Sequence, residues 1–247
     1  MEIRTVGIDL AKNVFQVHGM NELGKPLLRK QLKRDQMAVF FTNLSPCLIG
    51  MEACSSAHYW ARKLKALGHT VRLMAPQFVK PYVKSNKNDA ADAEAICEAV
   101  TRPTMRFMPI KNVEQQSVLA SHRARQGFVK ARTAQANQIR GLLAEFGLIV
   151  PEGIGHITTK LPSVIEGATS ELPVSFRQLI ERLIEHFKTL NKGVEELEAQ
   201  IKVWHRANET SRQLESIPGI GPLTASALVA AVGDAKTLKA GSSWLRG

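Results

Sequence analysis

Apolar residues change their spacing once along this chain, and that change limits the folds open to it. Up to residue 76, short apolar runs alternate with helical patterns; from about residue 113 the strand signals vanish and steps of three and four take over. Period two belongs to strands, steps of three and four to helices. The early runs are VGIDL (6–10), VFQVHGM (14–20) and PLLRKQL (26–32), with a turn marked by Asn21 and Gly24 before the third. They predict three consecutive strands in an antiparallel meander. RDQMAVFFTNL (34–44) has helical spacing. CLIGMEA (47–53) reads as a buried strand and TVRLMAP (70–76) as a fifth strand. Between them, SSAHYWARKLKALG (55–68) reads as a helix capped by its serines and stopped at Gly68. A meander followed by strand–helix–strand predicts a mixed sheet flanked by helices.

The later chain reads as all-α. Segment 113–147 is helical and basic, with Arg123, Arg125, Lys130, Arg132 and Arg140 recurring along it, and Pro151, Gly153, Gly155 and Pro162 break it. A second long helix starts near Ser175, and its apolar stripe runs from Phe176 through Leu190 to Trp204 across Gly193. That is coiled-coil or helix-hairpin spacing. It predicts an antiparallel arm that dimerises or packs on itself. LESIPGIGPLTASALVAAVGD (214–234) reads as a helix end, a Gly-Pro turn and a helix of small residues.

The formal net charge of +11 suggests a polyanionic partner, nucleic acid foremost; a merely soluble basic surface is the alternative. Hydrophobic residues make up 44% of the chain, enough for a core. Cys47, Cys54 and Cys97 lack zinc-ligand spacing and read as buried small residues in a reducing cytosol. No apolar run approaches the roughly 18–20 residues that span a bilayer, so the expectation is a soluble, cytoplasmic protein without a membrane partner.

Four acids carry the chemistry. Asp9 lies in an apolar strand, where a carboxylate is costly unless paired or metal-bound. Val6, Ile8 and Leu10 face one way and Gly7 and Asp9 the other, with Gly7 leaving open space for a ligand. Alone, Asp9 reads equally well as an exposed strand end. Glu52 closes another apolar strand, and two acids on adjacent strands repel unless a cation lies between them. Asp89 and Asp92 sit three apart in KNDAADAEAICEAV (87–100), on one face of an Ala-rich helix, where they could also simply offset its macrodipole. An oxygen-only set of this kind suits Mg²⁺ or Mn²⁺, and a pair of such ions can activate a nucleophile and stabilise the leaving oxygen of a phosphodiester.

The remaining candidates concern nucleic acid. The backbone N–H groups at Gly219 and Gly221 in IPGIGPLTASALVA (217–230) suit a phosphate oxygen; an ordinary packing turn is the alternative. The basic helix reads as a phosphate-tracking surface or as a solvated face. Lys80, Lys84 and Lys87 could steer a strand towards the acids or simply solvate the surface. His58 reads as a surface or capping residue.

GIDLAK with a strand-borne Asp, a three-strand meander, a Glu ending the fourth strand and NDAADA opening a helix together resemble the DEDD transposases of bacterial insertion sequences. AQANQIRGLLAEFGL (134–148) and PGIGPLTASALVAAVGD strengthen the resemblance, which covers residues 3 to about 235. It implies a ribonuclease H-like fold of the RuvC type over 1–105, a helical or coiled-coil arm over 106–212 and a partial helix-hairpin-helix region over 213–247. It implies DNA cleavage and transfer at Mg²⁺ (or Mn²⁺) held by Asp9, Glu52, Asp89 and Asp92, with Asp9 bridging two ions. It further implies a structured RNA partner from the element, and a serine in the family's C-terminal region that links covalently to DNA. The chain stops at Gly247 soon after the hairpin segment, so the expectation is a C-terminally truncated member, and neither Ser242 nor Ser243 is assigned that role. The helical arm is expected to join copies of the chain. The competing readings are a stand-alone endonuclease for branched DNA and a non-catalytic nucleic-acid-binding remnant.

Overall fold

The computed structural model describes residues 2–83, 89–167 and 172–233, leaving out the side chains of Asp89 and Ala90. The chain divides into two units, one up to Asn112 and one from Val113 onward.

The first unit is built on a mixed sheet. Strands β1 (Thr5–Leu10), β2 (Val14–Met20) and β3 (Pro26–Lys33) form the antiparallel meander. Asn21 makes the second turn, its Oδ1 accepting from the N–H groups of Leu23 (3.0 Å) and Lys25 (2.9 Å). Helix α1 (Gln36–Thr42) leads to β4 (Leu48–Glu52), which runs parallel to β1. Helix α2 (Ala57–Ala66) then leads to β5 (Thr70–Met74), parallel to β4. Pro76 opens the short helix α3 (Pro76–Val79), so the fifth strand ends two residues earlier than its apolar run suggests. Helix α4 (Asp89–Ala99) and a two-residue strand β6 (Phe107–Met108) complete the unit. The sheet order is β3-β2-β1-β4-β5-β6.

The two faces of this sheet differ. Val6, Ile8, Phe15, Val17, Ile49 and Met51 point to one face and bury Met37 and Phe41 of α1 and Trp60 and Leu64 of α2. Each large apolar side chain so enclosed contributes about 1.5–3 kcal/mol. The other face carries Gly7 and Gly50 side by side and receives α4. Cys47 and Cys97 are buried, as expected, and Cys54 is half-buried.

The second unit is helical. Helices α5 (Val113–Ala144) and α8 (Val174–Ala207) run antiparallel, since partners that rise along one fall along the other. Glu114 accepts from the Trp204 indole (2.6 Å), Arg125 meets Glu198, Phe128 lies against Gly193, Arg132 meets Asn191 and Gln135 accepts from His186 (2.7 Å). The stripe of α8 is thus covered by α5 of the same chain: Ile180, Phe187, Val194 and Ile201 are buried. Two short helices, α6 (Ile154–Thr159) and α7 (Leu161–Gly167), fill the segment that the sequence marks only by its breakers. Ile157 and Leu161 from them join Ile139, Leu143 and Phe187 in one core. Helices α9 (Glu209–Glu215) and α10 (Pro222–Val232) follow. Among the described residues no helix is long and apolar enough to cross a membrane.

Candidate active site

Parallel pairing fixes the relation of the first two acids. The register of β1 with β4 runs from Thr5↔Leu48 to Ile8↔Met51. Asp9 and Glu52 are the next residue on each strand, at the carboxyl ends of neighbours about 4.8 Å apart. Both are half-buried. Burial pushes the Cys54 thiol above its usual range, and the negative charges of Asp9 and Glu52 add to this, against hydrogen bonds from the backbone at Ser56 and Ala57. Cys54 Sγ faces the Leu10 carbonyl at 4.0 Å.

Helix α4 lies over the same face. A β-carbon at Gly7 would overlap the Ala93 carbonyl oxygen and the Cys97 backbone nitrogen, and one at Gly50 would come within 2.7 Å of Val100 Cβ. The space beside Gly7 that the sequence offers to a ligand is therefore taken by helix backbone. The helix runs from the Asp9 end of β1 towards its start: Ala93 lies over Gly7, and Cys97 Sγ–H donates to the Thr5 carbonyl at 3.5 Å. Its first turn, which holds Asp89 and the half-buried Asp92, accordingly lies towards the end of β1 that carries Asp9. Glu94 locks it there, pairing with Arg29 of β3 at 3.2 Å and lying 4.0 Å from the buried His18 of β2. The Arg29 and His18 contacts were not anticipated. The hairpin register, which sets His18 opposite Gly7 and Arg29 opposite His18, was the signal that could have found them.

The carboxylates supply only hard oxygen donors, which fit a divalent cation of the Mg²⁺ type better than a soft metal. Among the described residues no group of three or more His, Cys, Asp or Glu is gathered tightly enough to hold an ion; the Asp89 side chain lies outside that set.

The cations expected to meet nucleic acid divide. Arg123 and Lys130 are exposed on α5. Arg125 donates through Nε to Glu198 (2.8 Å), Arg132 donates to Asn191 Oδ1 (2.7 Å), and Arg140 donates to the Pro151 (3.2 Å) and Gly153 carbonyls. These three hold the unit together. Lys84, Lys87, Ser242 and Ser243 lie outside the described residues. In the turn between α9 and α10, Gly219 has φ +89°, a conformation glycine adopts without strain, and Gly221 is the N-cap of α10 with Pro222 at its first position. Before that turn, buried His205 of α8 ties down α9, its ring meeting Ser211 Oγ and Glu215 Oε2, each at 2.8 Å.

Two smaller expectations change. Ser56 occupies the N-cap position of α2, but its side chain makes no capping bond. His58 accepts the Lys111 N–H at 3.2 Å, and Arg62 donates to the Lys111 carbonyl at 2.6 Å, so α2 grips the chain where the first unit ends.

A mixed six-stranded sheet with acids at the ends of its central parallel strands, followed by a helical region, is consistent with the ribonuclease H-like domain of DEDD transposases. Residues 6–147 match the family model of IS110-type DEDD enzymes, described as a transposase, and residues 211–244 match that of the IS116/IS110/IS902 transposase family. The chain belongs to this family of insertion-sequence transposases. It is 49% identical over 249 residues to a protein of Pseudomonas aeruginosa named "Probable family 20 transposase", covering 99% of this chain and 74% of that one. It is 44% identical to the transposase for insertion sequence element IS1328 of Yersinia enterocolitica, covering 95% and 69%. It is 40% identical to that for IS1111A of Coxiella burnetii, covering 94% and 64%.

Proposed function

We propose that the chain is a DNA recombinase that cleaves and transfers strands, with residues 1–105 as catalytic domain and the helical unit as a nucleic-acid-binding arm. The observation that carries this reading is the arrival of Asp9 and Glu52 at adjacent strand ends, with α4 seated over the same face. Asp9, Glu52, Asp89 and Asp92 would hold Mg²⁺ or Mn²⁺. When bound, such ions polarise a phosphodiester and lower the pKa of a bound water. Asp9, with Glu52 on the next strand and the first turn of α4 at the same end, would serve both sides of the site. The packed seat of α4 keeps the acids from drifting apart when their charges repel.

Nucleic acid would lie along Arg123 and Lys130, with a phosphate at the N–H groups after Gly219 and Gly221. The basic surface suits DNA and a structured RNA alike. Self-association through the α8 stripe is not part of this reading, because α5 covers that stripe.

The decisive experiment compares Mg²⁺-dependent cleavage of element-end DNA and of DNA junctions, with and without the element's RNA, for wild type, Asp9→Asn and Glu52→Gln. Both variants are expected to lose cleavage at least about 100-fold while keeping their melting temperature, given the several kcal/mol that metal-assisted chemistry supplies. Wild-type rates in a folded Asp9→Asn protein would remove the assignment. Junction cleavage that ignores element ends and RNA would instead mark a stand-alone endonuclease.

A further inference from the structure

Arg34 stands at the same end of the sheet as the acids, and neither the carboxylate site nor the helical arm uses it. It follows the last residue of β3. Its backbone N–H donates to the Asn13 carbonyl and its Nε–H to the Lys12 carbonyl, both at 3.1 Å. Those carbonyls belong to the turn that leaves β1 just after Asp9. The guanidinium lies over the rings of Phe15 (5.1 Å) and Trp60 (5.9 Å). These two rings are buried and meet edge to face at 5.5 Å, so the platform beneath Arg34 is rigid.

A structural cap would explain the stacking and the Nε bond. It would not explain the rest. Arg34 is exposed, and its two terminal nitrogens make no hydrogen bond or ion pair among the described residues, not even with Asp35 next in the chain. Lys12 and Lys33, both exposed, add charge on either side. Most of the entropy cost of ordering an arginine has been met by the stack and the Nε bond, and the outer edge of the fork matches a phosphate. Two strand spacings, about 10 Å, separate β3 from β1. The stack on Phe15 and Trp60 sets the guanidinium on the α2 side of the sheet, so a strand that meets both Arg34 and the acids passes over the sheet's end.

We infer that Arg34, with Lys12 beside it, binds a backbone phosphate of the nucleic-acid strand that enters the carboxylate site, to one side of the linkage that is cut. This rests on the proposed role of Asp9 and Glu52. Arg34 is a positioning residue: it fixes where the strand lies and reads no base.

The test measures affinity of the full chain for single-stranded DNA, duplex DNA and RNA across a salt series, without Mg²⁺. Wild type, Arg34→Ala, Arg34→Gln and Lys12→Ala are compared on oligonucleotides that carry one uncharged methylphosphonate at successive positions. Arg34→Ala is expected to weaken binding about tenfold, as removal of one charge-assisted hydrogen bond would. The slope of log affinity on log salt should fall by about one. One neutral linkage should cost wild type the same factor and Arg34→Ala nothing. Arg34→Gln, which reaches only to the position of Nε and can keep the bond to the Lys12 carbonyl without the charged fork, should behave as Arg34→Ala; it and Lys12→Ala decide the matter if Arg34→Ala does not fold. Weakening confined to the DNA or to the RNA arm supports the site and names the source of the phosphate. A folded Arg34 variant with wild-type slope and wild-type sensitivity to the neutral linkage overturns the inference. If it does so while Asp9→Asn still abolishes cleavage, only the phosphate site falls; if wild type binds no nucleic acid, both readings fall.

Discussion

In the first unit, acids stand at the carboxyl ends of the neighbouring strands β1 and β4, and the helix bearing two more is seated by glycine against backbone. In the second unit, cations spread along α5 meet acids and carbonyls of the same unit. The difference is one of geometry. A strand end projects its side chain beyond the last paired residue, so a charge there escapes the packing of the sheet. Along a helix that pairs with another helix, positions facing the partner recur every three or four residues, so a charge at such a position meets the partner. Arg125, Arg132 and Arg140 sit where α5 faces α8 or the 151–153 loop; Arg123 and Lys130 do not. Along α5, three of the five cations are committed to contacts within their own unit.

The largest effect expected from breaking this contrast is at Gly7. Gly7→Ala should displace α4, cost about 3 kcal/mol as an overpacked backbone contact, and remove cleavage; urea denaturation measures the first and the junction assay the second. Gly50→Ala should cost less, about 1 kcal/mol, because the opposing group is the Val100 side chain rather than backbone. A Gly7→Ala protein of native stability would show that α4 is not seated as described.

Next is Glu198→Gln. The ion pair it breaks is about three-quarters buried on both sides, so the expected destabilisation is about 1 kcal/mol with little change in nucleic-acid affinity. The double variant Arg123→Ala/Lys130→Ala should do the opposite. Its stability should stay within about 0.5 kcal/mol, while the salt dependence of DNA binding should flatten by about 0.7–0.9 for each phosphate no longer neutralised. Equal effects of both variants on binding would erase the distinction drawn between the two sets of cations.

The smallest effect concerns His122, which meets Ser226 Oγ at 3.0 Å. Burial, and then the charge of Arg125, hold its pKa below the usual 6.5. Below that pH the unfolded chain takes up the proton more readily than the folded one, so stability falls as pH drops through 6.5. His122→Gln should make that decline shallower, as read from melting temperatures between pH 7.5 and 5.5.

Much of this architecture was legible in the residues. Alternation in VGIDL set Val6 and Ile8 on one face, which is the buried one, and the stripe from Phe176 to Trp204 marked α8. What escaped had physical reasons. Strand β6 has two residues, too few for any period to show. Helices α6 and α7 have six and seven residues, and their Gly and Pro outweigh their pattern. Asp9 and Glu52 stood out because a carboxylate in an apolar strand needs a reason locally. The partners of Arg125 and Arg132 were not, because they depend on the register of α5 against α8, which no stretch of either helix encodes alone. Gly7 was visible as space, but what fills it comes from a segment nearly ninety residues away.

The seat of α4 also bears on how this domain tolerates change in length. Because Ala93 and Cys97 meet Gly7 through main-chain atoms, exchanging a side chain at half-buried Ala91 or Glu94 leaves that contact in place. A single residue inserted between Asp92 and Ala93 is another matter. With the contact at Gly7 kept, everything before it would turn by about 100° around the helix axis, swinging Asp92 off its bearing. The carboxylates would all survive in such a protein, yet Asp92 would leave the side of the helix it now occupies.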